Sequence, residues 1–463
     1  MARTDRGARH NRLAAVQHAT KSCEYSDRPV TSARVLHCVW SPRSMLARLL
    51  LLVACLTMSG ALRAEQTPAE KAGFASRLTI YLAKGAPDAC GPGCDRWIAM
   101  EGEIDGSAAS RVRRFLAGIK DTQRPIYLHS PGGNVEQSYV IGRLLRGRKA
   151  IARVGRTIAT ACGADAQVAA ACLKTKSAGG EIEAELTTYH AMCNSACGYL
   201  FLGATSREVA PDAALAVHNS RLVLAIHGNP PPGLLAELRQ RRTASADRDR
   251  TAYIAAMGIS HELDDLIRTV KFEDLHMLTR AELYRFGIDT RPLAETMWRL
   301  EKGTRPYISK FATLKKENGP SFRTMEWRLY CDSKNRVPLM FAAEIDEATA
   351  GKRTIMMTAD AAPNEEAGGI PVRTGKYEAW SGSLDFGTFR AIMASRSLHV
   401  REITRKPDET ADTTTFDIDA TALPSAWTQL EASCPPATSA PKSPWPAVPL
   451  PKATATPSAA PAP

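Results

Sequence analysis

A serine, a histidine and a pair of adjacent glycines in the middle of the chain are residues of the types that can carry nucleophilic catalysis. Ser195 lies in CNSACG, at the start of the apolar run YLFL, and His218 follows the apolar segment ALAV. Gly132 and Gly133 end another apolar segment, in IYLHSPGG. A histidine can take the proton of a serine hydroxyl, and backbone N–H groups at a glycine turn can stabilise an oxyanion. Ser195 is therefore a candidate nucleophile, and His218 is a candidate for its base.

Two groups of backbone donors are candidates for the oxyanion site. One is the N–H of Gly132 or Gly133, beside the start of a helix, and the other is the N–H of Ala196, directly after the serine. Each motif also has a purely structural interpretation, because SPGG is typical of an ordinary strand-to-helix turn and Ser195 could act only as an N-cap. The combination in one chain favours the functional interpretation.

The elements that must position these residues follow from the hydrophobic pattern. From residue 78 to residue 218, apolar runs alternate with helical patterns, as in βαβ units. Strands are predicted at 97–104, 125–128, 152–154 and 214–217, and helices at 108–119, 135–146, 195–202, 234–256, 260–269 and 279–286. The stretch 157–188 is predicted to be a loop insertion.

Beyond residue 303 the apolar residues recur with a period of two, which predicts a small, mostly β domain. Its strands are expected at 325–331, 338–342, 353–357, 382–386 and 398–403. Ten prolines occur in the 29 residues after Cys434, so the end of the chain is predicted to be a disordered Pro/Ala-rich tail.

The motifs together resemble the Clp-peptidase/crotonase superfamily, in particular its exported, uncharacterised Clp-protease-like branch. The resemblance covers residues 96–289 and rests on YLHSPGGNV, on Ser195 followed by GYLFLG, on Val217 with His218, and on FGID after LTRAE. It implies an α/β fold class with a ββα superhelical core. Ala196-Cys197 stands where peptidases of the family usually carry Met-Gly.

The resemblance also implies a third catalytic group that orients His218. The family's acid position falls on or beside Leu275, so Asp274 is the predicted carboxylate, with Glu273 or Asn219 as substitutes. The implied reaction is cleavage of an amide or ester through an acyl-enzyme at Ser195, with a peptide or protein as substrate and with no cofactor or metal. Related folds form rings or trimers, so a homo-oligomer is expected.

The N-terminal region is predicted to direct export. Residues 49–62 are apolar, too short for a comfortable membrane span, and lie between Arg48 and Arg63. We predict a signal peptide at 45–64. Residues 1–44 are predicted to be an N-terminal extension that results from a start site assigned too early. The alternative interpretation is a lipoprotein that carries its lipid on Cys55. The remaining domains are predicted at 65–302 (Clp-peptidase-like), 303–436 (β-rich) and 437–463 (tail), in a periplasmic or secreted protein whose only membrane contact is through the cleaved signal peptide.

Cysteine usage supports the same compartment. Removal of the leader leaves an even number of cysteines, which in an exported chain predicts disulfides. They are Cys90, Cys94, Cys162, Cys172, Cys193, Cys197, Cys331 and Cys434. Cys331 and Cys434 are the predicted long-range bridge because their region has no other cysteine, and the other pairings stay open. Zinc is the competing interpretation of the two C-x3-C pairs, and the lack of a nearby histidine pair argues against it.

Charge excludes one class of partner and leaves two functional classes. The net charge is +12, but residues 1–64 carry ten Lys/Arg against three Asp/Glu, which leaves only +5 for residues 65–463. This weak excess gives no reason to expect nucleic-acid binding. The sequence favours an exported serine hydrolase, and the alternative is a catalytically inactive binding or scaffold protein of the cell envelope on the same fold.

Overall fold

A computed structural model describes residues 73–434, except 224–227, 229–230, 318, 332–335, 346–350, 360–364, 367–369 and 407. All of them belong to one unit, 66–463. The predicted extension, signal peptide and tail, together with Cys55, lie outside the described residues. Within the described part, no helix is long and apolar enough to cross a membrane.

In the described residues before Leu293, the chain forms seven α-helices and two sheets. The helices are α1 (Ala108–Ala117), α2 (Val135–Gly147), α3 (Ala170–Ser177), α4 (Ala196–Leu202), α5 (Pro232–Ala256), α6 (Glu262–Thr269) and α7 (Arg280–Arg285). The strands are β1 (Thr79–Lys84), β2 (Arg96–Glu101), β3 (Ile126–His129), β4 (Ile151–Val154), β5 (Arg156–Ala159), β6 (Glu181–Thr187), β7 (Met192–Asn194), β8 (Ser206–Glu208), β9 (Ala214–Val217) and β10 (His276–Met277). The mixed α/β class is thereby confirmed, whereas the superhelical arrangement stays an expectation.

The two sheets bring the predicted site motifs to adjacent strand ends. The larger sheet has the order β5-β6-β1-β2-β3-β4-β8, and β2, β3, β4 and β8 run parallel. The smaller sheet has the order β10-β9-β7, and β7 and β9 are parallel. Parallel neighbours present their carboxyl ends at one edge, where ligand sites of α/β folds lie. Ser195 follows β7 and His218 follows β9 at such an edge.

The helix behind Ser195 is the centre of the first core. Every residue of α4 is buried, which explains why its sequence is apolar on all sides rather than striped. It packs with Val112 of α1, Ile141 of α2 and Leu263 of α6 in one cluster. A fully buried helix gives the turn at its N-terminus a rigid base.

The prediction of a loop at 157–188 was wrong. The segment forms most of β5, a 3₁₀ turn, α3 and β6. In β6 the side chains alternate between solvent and core, with Ile182, Ala184 and Leu186 buried and the glutamates between them exposed. This strand pairs in parallel with β1 and antiparallel with β5. The alternation of apolar and polar residues in EIEAELT is typical of a strand, and the loop prediction overlooked it.

The second part of the chain is mostly β, as predicted. Its strands are β11 (Leu293–Glu295), β12 (Arg299–Glu301), β13 (Tyr307–Lys315), β14 (Phe322–Tyr330), β15 (Arg336–Glu344), β16 (Arg353–Thr358), β17 (Glu365–Glu366), β18 (Val372–Thr374), β19 (Tyr377–Asp385), β20 (Ser397–Arg405) and β21 (Ala411–Asp419). The described residues of this part also include the helices α8 (Phe386–Ser395) and α9 (Leu423–Glu431). The five predicted strands correspond to β14, β15, β16, β19 and β20.

This region forms two antiparallel sheets around an aromatic core. One has the order β11-β13-β14-β15-β19-β18 with β12 beside β13, and the other has the order β17-β16-β20-β21. Trp327, Phe341 and Trp380 are nearly inaccessible, and Trp427 of α9 packs on Phe389 of α8. Because β11 already pairs with β13, the sheet starts at Leu293, ahead of the domain boundary that the sequence predicts at 303.

Candidate active site

Ser195 occupies a strained turn between β7 and α4. Its backbone has φ 54° and ψ −123°, a conformation that a residue with a Cβ rarely adopts. Such strain costs about 1–3 kcal/mol and persists only where the surroundings impose it. Here the N–H of Ser195 donates to the carbonyl of Ala216 in β9 at 2.8 Å, and the buried helix follows directly. The strained turn is therefore held by a hydrogen bond to β9 and by the buried helix that follows it.

A disulfide closes this turn. Cys193 in β7 is bonded to Cys197 in the first turn of α4, with the two Cα atoms 5.1 Å apart and both residues fully buried. The bridge spans Ser195. It therefore constrains the backbone on both sides of the strained residue.

The hydroxyl of Ser195 and the imidazole of His218 are hydrogen-bonded. The distance from Ser195 Oγ to His218 Nε2 is 2.6 Å. This proximity follows from the sheet, because β7 and β9 are parallel neighbours in which Asn194 pairs with Ala216. The structure brings together the two residues that the sequence predicted as nucleophile and base.

The expected carboxylate does not orient His218. The imidazole Nδ1 lies 2.6 Å from the backbone carbonyl of Phe272, which occupies the place expected for Asp274. The side chain of Asp274 is exposed, and its N–H donates to the carbonyl of Lys271 in a turn that directs the Phe272 carbonyl inward. The prediction of a direct Asp274–His218 contact is corrected in this respect.

The two substitutes named by the sequence also make no hydrogen bond to the imidazole. Asn219 donates its N–H to the carbonyl of Val270 and receives the N–H of Ser220 on its side chain. Glu273 is exposed, and only its charge acts on His218. The orienting group is thus a backbone carbonyl, which sequence reasoning missed because every residue possesses one.

The carbonyl sets the tautomer of His218. Nδ1–H donates to Phe272, so Nε2 is left to accept the proton of Ser195. Burial lowers the pKa of His218 below its ordinary value of 6.5, and the Phe272 carbonyl and the Glu273 charge partly oppose this effect. The imidazole is therefore neutral at pH 7 and able to act as a base.

Gly132 and Gly133 lie against the serine turn and need their special conformations. Their φ angles are 111° and 130°. A Cβ on Gly132 would lie 2.8 Å from the Ser195 Cβ, and a Cβ on Gly133 would lie 2.5 Å from the carbonyl oxygen of Ile104. Both positions therefore demand glycine, for close approach as well as for positive φ.

The loop around the glycines is tied to the nucleophile strand. The N–H of Ser130 donates to the Met192 carbonyl at 2.8 Å, and the N–H of Asn194 donates to the Ser130 carbonyl at 3.0 Å. On the other side, the N–H of Ile104 donates to the Gly132 carbonyl. The SPGG loop and the serine turn therefore form one hydrogen-bonded unit.

Two backbone donors of this unit are available to an oxyanion. The N–H of Gly132 already has an acceptor, because it donates to Ser130 Oγ at 3.2 Å. Within the described ranges the N–H groups of Gly133 and Ala196 have no acceptor. A pair of unused N–H groups on either side of a serine turn is the arrangement that stabilises a tetrahedral oxyanion.

A narrow apolar pocket adjoins the Ser195–His218 pair. Its cavity volume is about 10 Å³, close to the space of a single water molecule. Besides the pair, it is lined by Gly198, Tyr199, Leu202, Leu215, Val217, Leu263, Ile267, Leu278 and Ile288. Its walls contain no charged side chain.

All eight cysteines predicted to form disulfides do so. The pairs are Cys90–Cys94, Cys162–Cys172, Cys193–Cys197 and Cys331–Cys434. The predicted long-range pair, Cys331 with Cys434, is confirmed, and the pairings that the sequence left open are all local. Four disulfides are consistent with an exported protein. The two C-x3-C pairs that zinc could have used are thereby occupied.

The disulfide at Ser195 permits a matched test. Replacement of Cys193 and Cys197 by serine is expected to slow the reaction of Ser195 with a fluorophosphonate by about tenfold, because release of about 1–3 kcal/mol of strain lets the turn relax. The control replaces Cys90 and Cys94, which have the same separation of four and a Cα distance of 5.0 Å. Each double variant should lose about 2 kcal/mol of stability for its short loop. Equal labelling rates in the two variants would show that the bridge contributes only to folding.

Comparisons with known proteins give structural similarity of limited extent. No protein-family model and no curated protein matches the chain. Among solved structures, a mutant of the 1510-N membrane-bound stomatin-specific protease is similar with a TM-score of 0.25 and 16 % identity, over 40 % of this chain and 73 % of that one. The invasion associated protein B of Bartonella henselae is similar with a TM-score of 0.22 and 14 % identity, over 29 % of this chain and 92 % of that one. Both similarities are weak.

Proposed function

We propose that the protein is an exported serine hydrolase that cleaves peptide or ester bonds. The observation that carries the proposal is the 2.6 Å contact between Ser195 Oγ and His218 Nε2 at a strained turn. A serine that serves only as a helix cap has no need of positive φ or of a neutral, partly buried histidine on its hydroxyl.

The reaction follows from the arrangement of these groups. His218 Nε2 takes the proton of Ser195 as Oγ attacks the carbonyl carbon of the substrate, and the N–H groups of Gly133 and Ala196 hold the oxyanion. The imidazolium then returns the proton to the leaving amine or alcohol, which leaves an acyl-enzyme. Water, activated by the same imidazole, releases the acid. The Phe272 carbonyl keeps the Nδ1–H donor oriented throughout.

The pocket beside Ser195 supports a preference among substrates. Its small volume and apolar lining suit a small aliphatic side chain next to the scissile carbonyl, such as that of alanine. An aromatic or charged side chain would have to displace Leu215 or Leu278, which are buried. Peptides or proteins with small apolar residues are therefore the proposed substrates.

A binding or scaffold protein is the second candidate function. It is favoured by one observation, the absence of a carboxylate on His218 among the described residues. A neutral carbonyl stabilises an imidazolium less than a carboxylate does, because the hydrogen bond involves one charge instead of two. This candidate predicts that Ser195 is no more reactive than other serines.

Labelling with a fluorophosphonate distinguishes the two functions. Under oxidising conditions the purified protein should react with one equivalent of probe, and Ser195→Ala should abolish the reaction. The control is Ser220→Ala, which removes an exposed serine two residues after His218 and should leave labelling unchanged. A folded, oxidised protein that does not react would instead support the binding function.

A further inference from the structure

A second cavity is lined by His129, the residue that precedes the SPGG loop. Its volume is about 40 Å³, and it sits at the carboxyl ends of β2 and β3 beside the start of β5. Neither Ser195 nor His218 lines it. The polar residues of its wall are Thr79, Glu101, His129, Arg156, Thr157, Gln167 and Lys176.

A buried ion pair forms one wall. Lys176 has a 3 % exposed side chain, and its Nζ lies 3.0 Å from Glu101 Oε2. The same oxygen accepts the hydroxyl of Tyr81, and Oε1 accepts the N–H of Thr157. Both oxygens of Glu101 are therefore occupied, while Lys176 uses one of its three N–H donors in this pair.

His129 contributes a neutral donor. The N–H of Met192 donates to its Nδ1 at 3.2 Å, so the ring proton must sit on Nε2. Burial and the positive charges of Arg156 and Lys176 lower the pKa of His129 to about 3. The imidazole is thus uncharged at pH 7, and its Nε2–H has no acceptor in the described part of the chain.

The charge of Arg156 is not balanced by an anionic side chain in the cavity wall. It is partly buried, and in the described ranges its guanidinium makes no hydrogen bond or ion pair. Arg156 and Lys176 together face the single carboxylate of Glu101. A partly desolvated cation without a partner is costly, and an anion that accepts its hydrogen bonds relieves this cost.

The part of the wall formed by Gln167 is fixed by hydrogen bonds and a disulfide. The side chain of Gln167 donates to the carbonyls of Ala159, Cys162 and Gly163 and accepts the N–H of Ala159. The Cys162–Cys172 disulfide closes the same segment. The cavity is therefore held open by covalent and hydrogen-bonded structure rather than by loose side chains.

We propose that this cavity binds one small carboxylate group, held by Arg156, by the Nε2–H of His129 and by Lys176. A volume of about 40 Å³ exceeds that of a single water and suits a formate or acetate group, whereas a nucleotide or sugar phosphate is far too large. The planar guanidinium matches the two oxygens of a carboxylate.

His129 connects the cavity to the SPGG loop. Its carbonyl accepts the N–H of Gly102, its ring accepts the N–H of Met192, and the next residue, Ser130, opens the SPGG loop. An anion on Nε2 adds a third anchor to this residue. The cavity is thus a binding site adjacent to the catalytic loop and separate from the reacting groups.

Calorimetric titration with sodium formate and sodium acetate, against sodium chloride at constant ionic strength, tests the proposal. Formate and acetate should bind saturably, with a dissociation constant raised about tenfold or more by Arg156→Gln and by His129→Phe, which keeps an aromatic ring but removes the donor. Arg113→Gln, an exposed arginine of α1, is the matched control and should bind as the wild type does. Equal affinities in Arg156→Gln, His129→Phe and wild type, or no saturable binding beyond that of chloride, would refute the site.

Two further arms identify the source of the carboxylate and separate this proposal from the hydrolase. Acetyl-alanyl-alanine should compete with formate if the site takes the end of a peptide, whereas its amide should not. Competition by neither compound, with formate still bound, identifies a free small acid as the ligand. Ser195→Ala should retain formate binding, so this proposal stands or fails independently of the catalytic role of Ser195.

Discussion

His218→Ala is expected to lower kcat/KM for a small alanyl ester by about 10³-fold, the scale of general-base catalysis. The physical reason is the 2.6 Å hydrogen bond through which His218 takes the Ser195 proton, since no other described side chain accepts it. Such a loss corresponds to about 4 kcal/mol of transition-state stabilisation. Steady-state kinetics on the folded variant measures it.

Asp274→Asn is the control for this variant. Because the Phe272 carbonyl orients the imidazole and Asp274 is exposed, kcat/KM should stay within about threefold of wild type. The pH profile gives a second check on the wild type. Activity needs the neutral imidazole, so kcat/KM should rise with pH through a midpoint below 6.5 and then level off. A large loss in Asp274→Asn, or a midpoint well above 7, would contradict the role assigned to Phe272.

Gly133→Ala is expected to lower kcat by about 10²- to 10³-fold, the cost of removing one oxyanion donor. A Cβ at this position meets the Ile104 carbonyl oxygen at 2.5 Å while φ is 130°, so the loop must shift and its N–H must turn away from Ser195. Kinetics with the alanyl ester should show the loss mainly in kcat, because the donor acts on the transition state.

Gly147→Ala serves as the matched control for the glycine loop. It lies at the end of α2, the helix that follows the loop, and a Cβ there meets no atom within 4 Å. Its kcat should equal that of the wild type. A normal kcat in Gly133→Ala, with the melting temperature unchanged, would mean that the Gly133 N–H does not hold the oxyanion.

The local patterns of the chain determined the strands and helices that frame the site. The segment 214–217 was predicted as a strand and is β9, because four apolar residues before a polar cluster can bury both faces in a sheet. The helix at 135–146 was predicted from its apolar side and is α2, one residue longer. Such features depend on neighbours within a few residues, so the sequence carries them directly. The polar β21 lacks an apolar pattern of this kind and was missed.

Whether a disulfide pairing could be predicted from the sequence depended on how many other cysteines each cysteine could pair with. Cys331 and Cys434 could be paired from sequence, because no other cysteine lies in their region. The local pairing of Cys193 with Cys197 could not be chosen, since Cys162 and Cys172 allowed other connectivities. Only the positions of β7 and α4 in space decided it.

For the proposed catalytic residues, Ser195 and His218, the sequence by itself indicated the residue types. Few side chains can act as a nucleophile or a general base, and both residues lie in recognisable motifs. The tertiary structure decided their partners. It placed the Phe272 carbonyl on His218 in place of the Asp274 side chain, and it paired the Gly132 N–H with Ser130, which makes the Gly133 N–H the proposed oxyanion donor. The reason is physical: these partners are backbone groups, present at every position, and their roles depend on where the folded chain directs them.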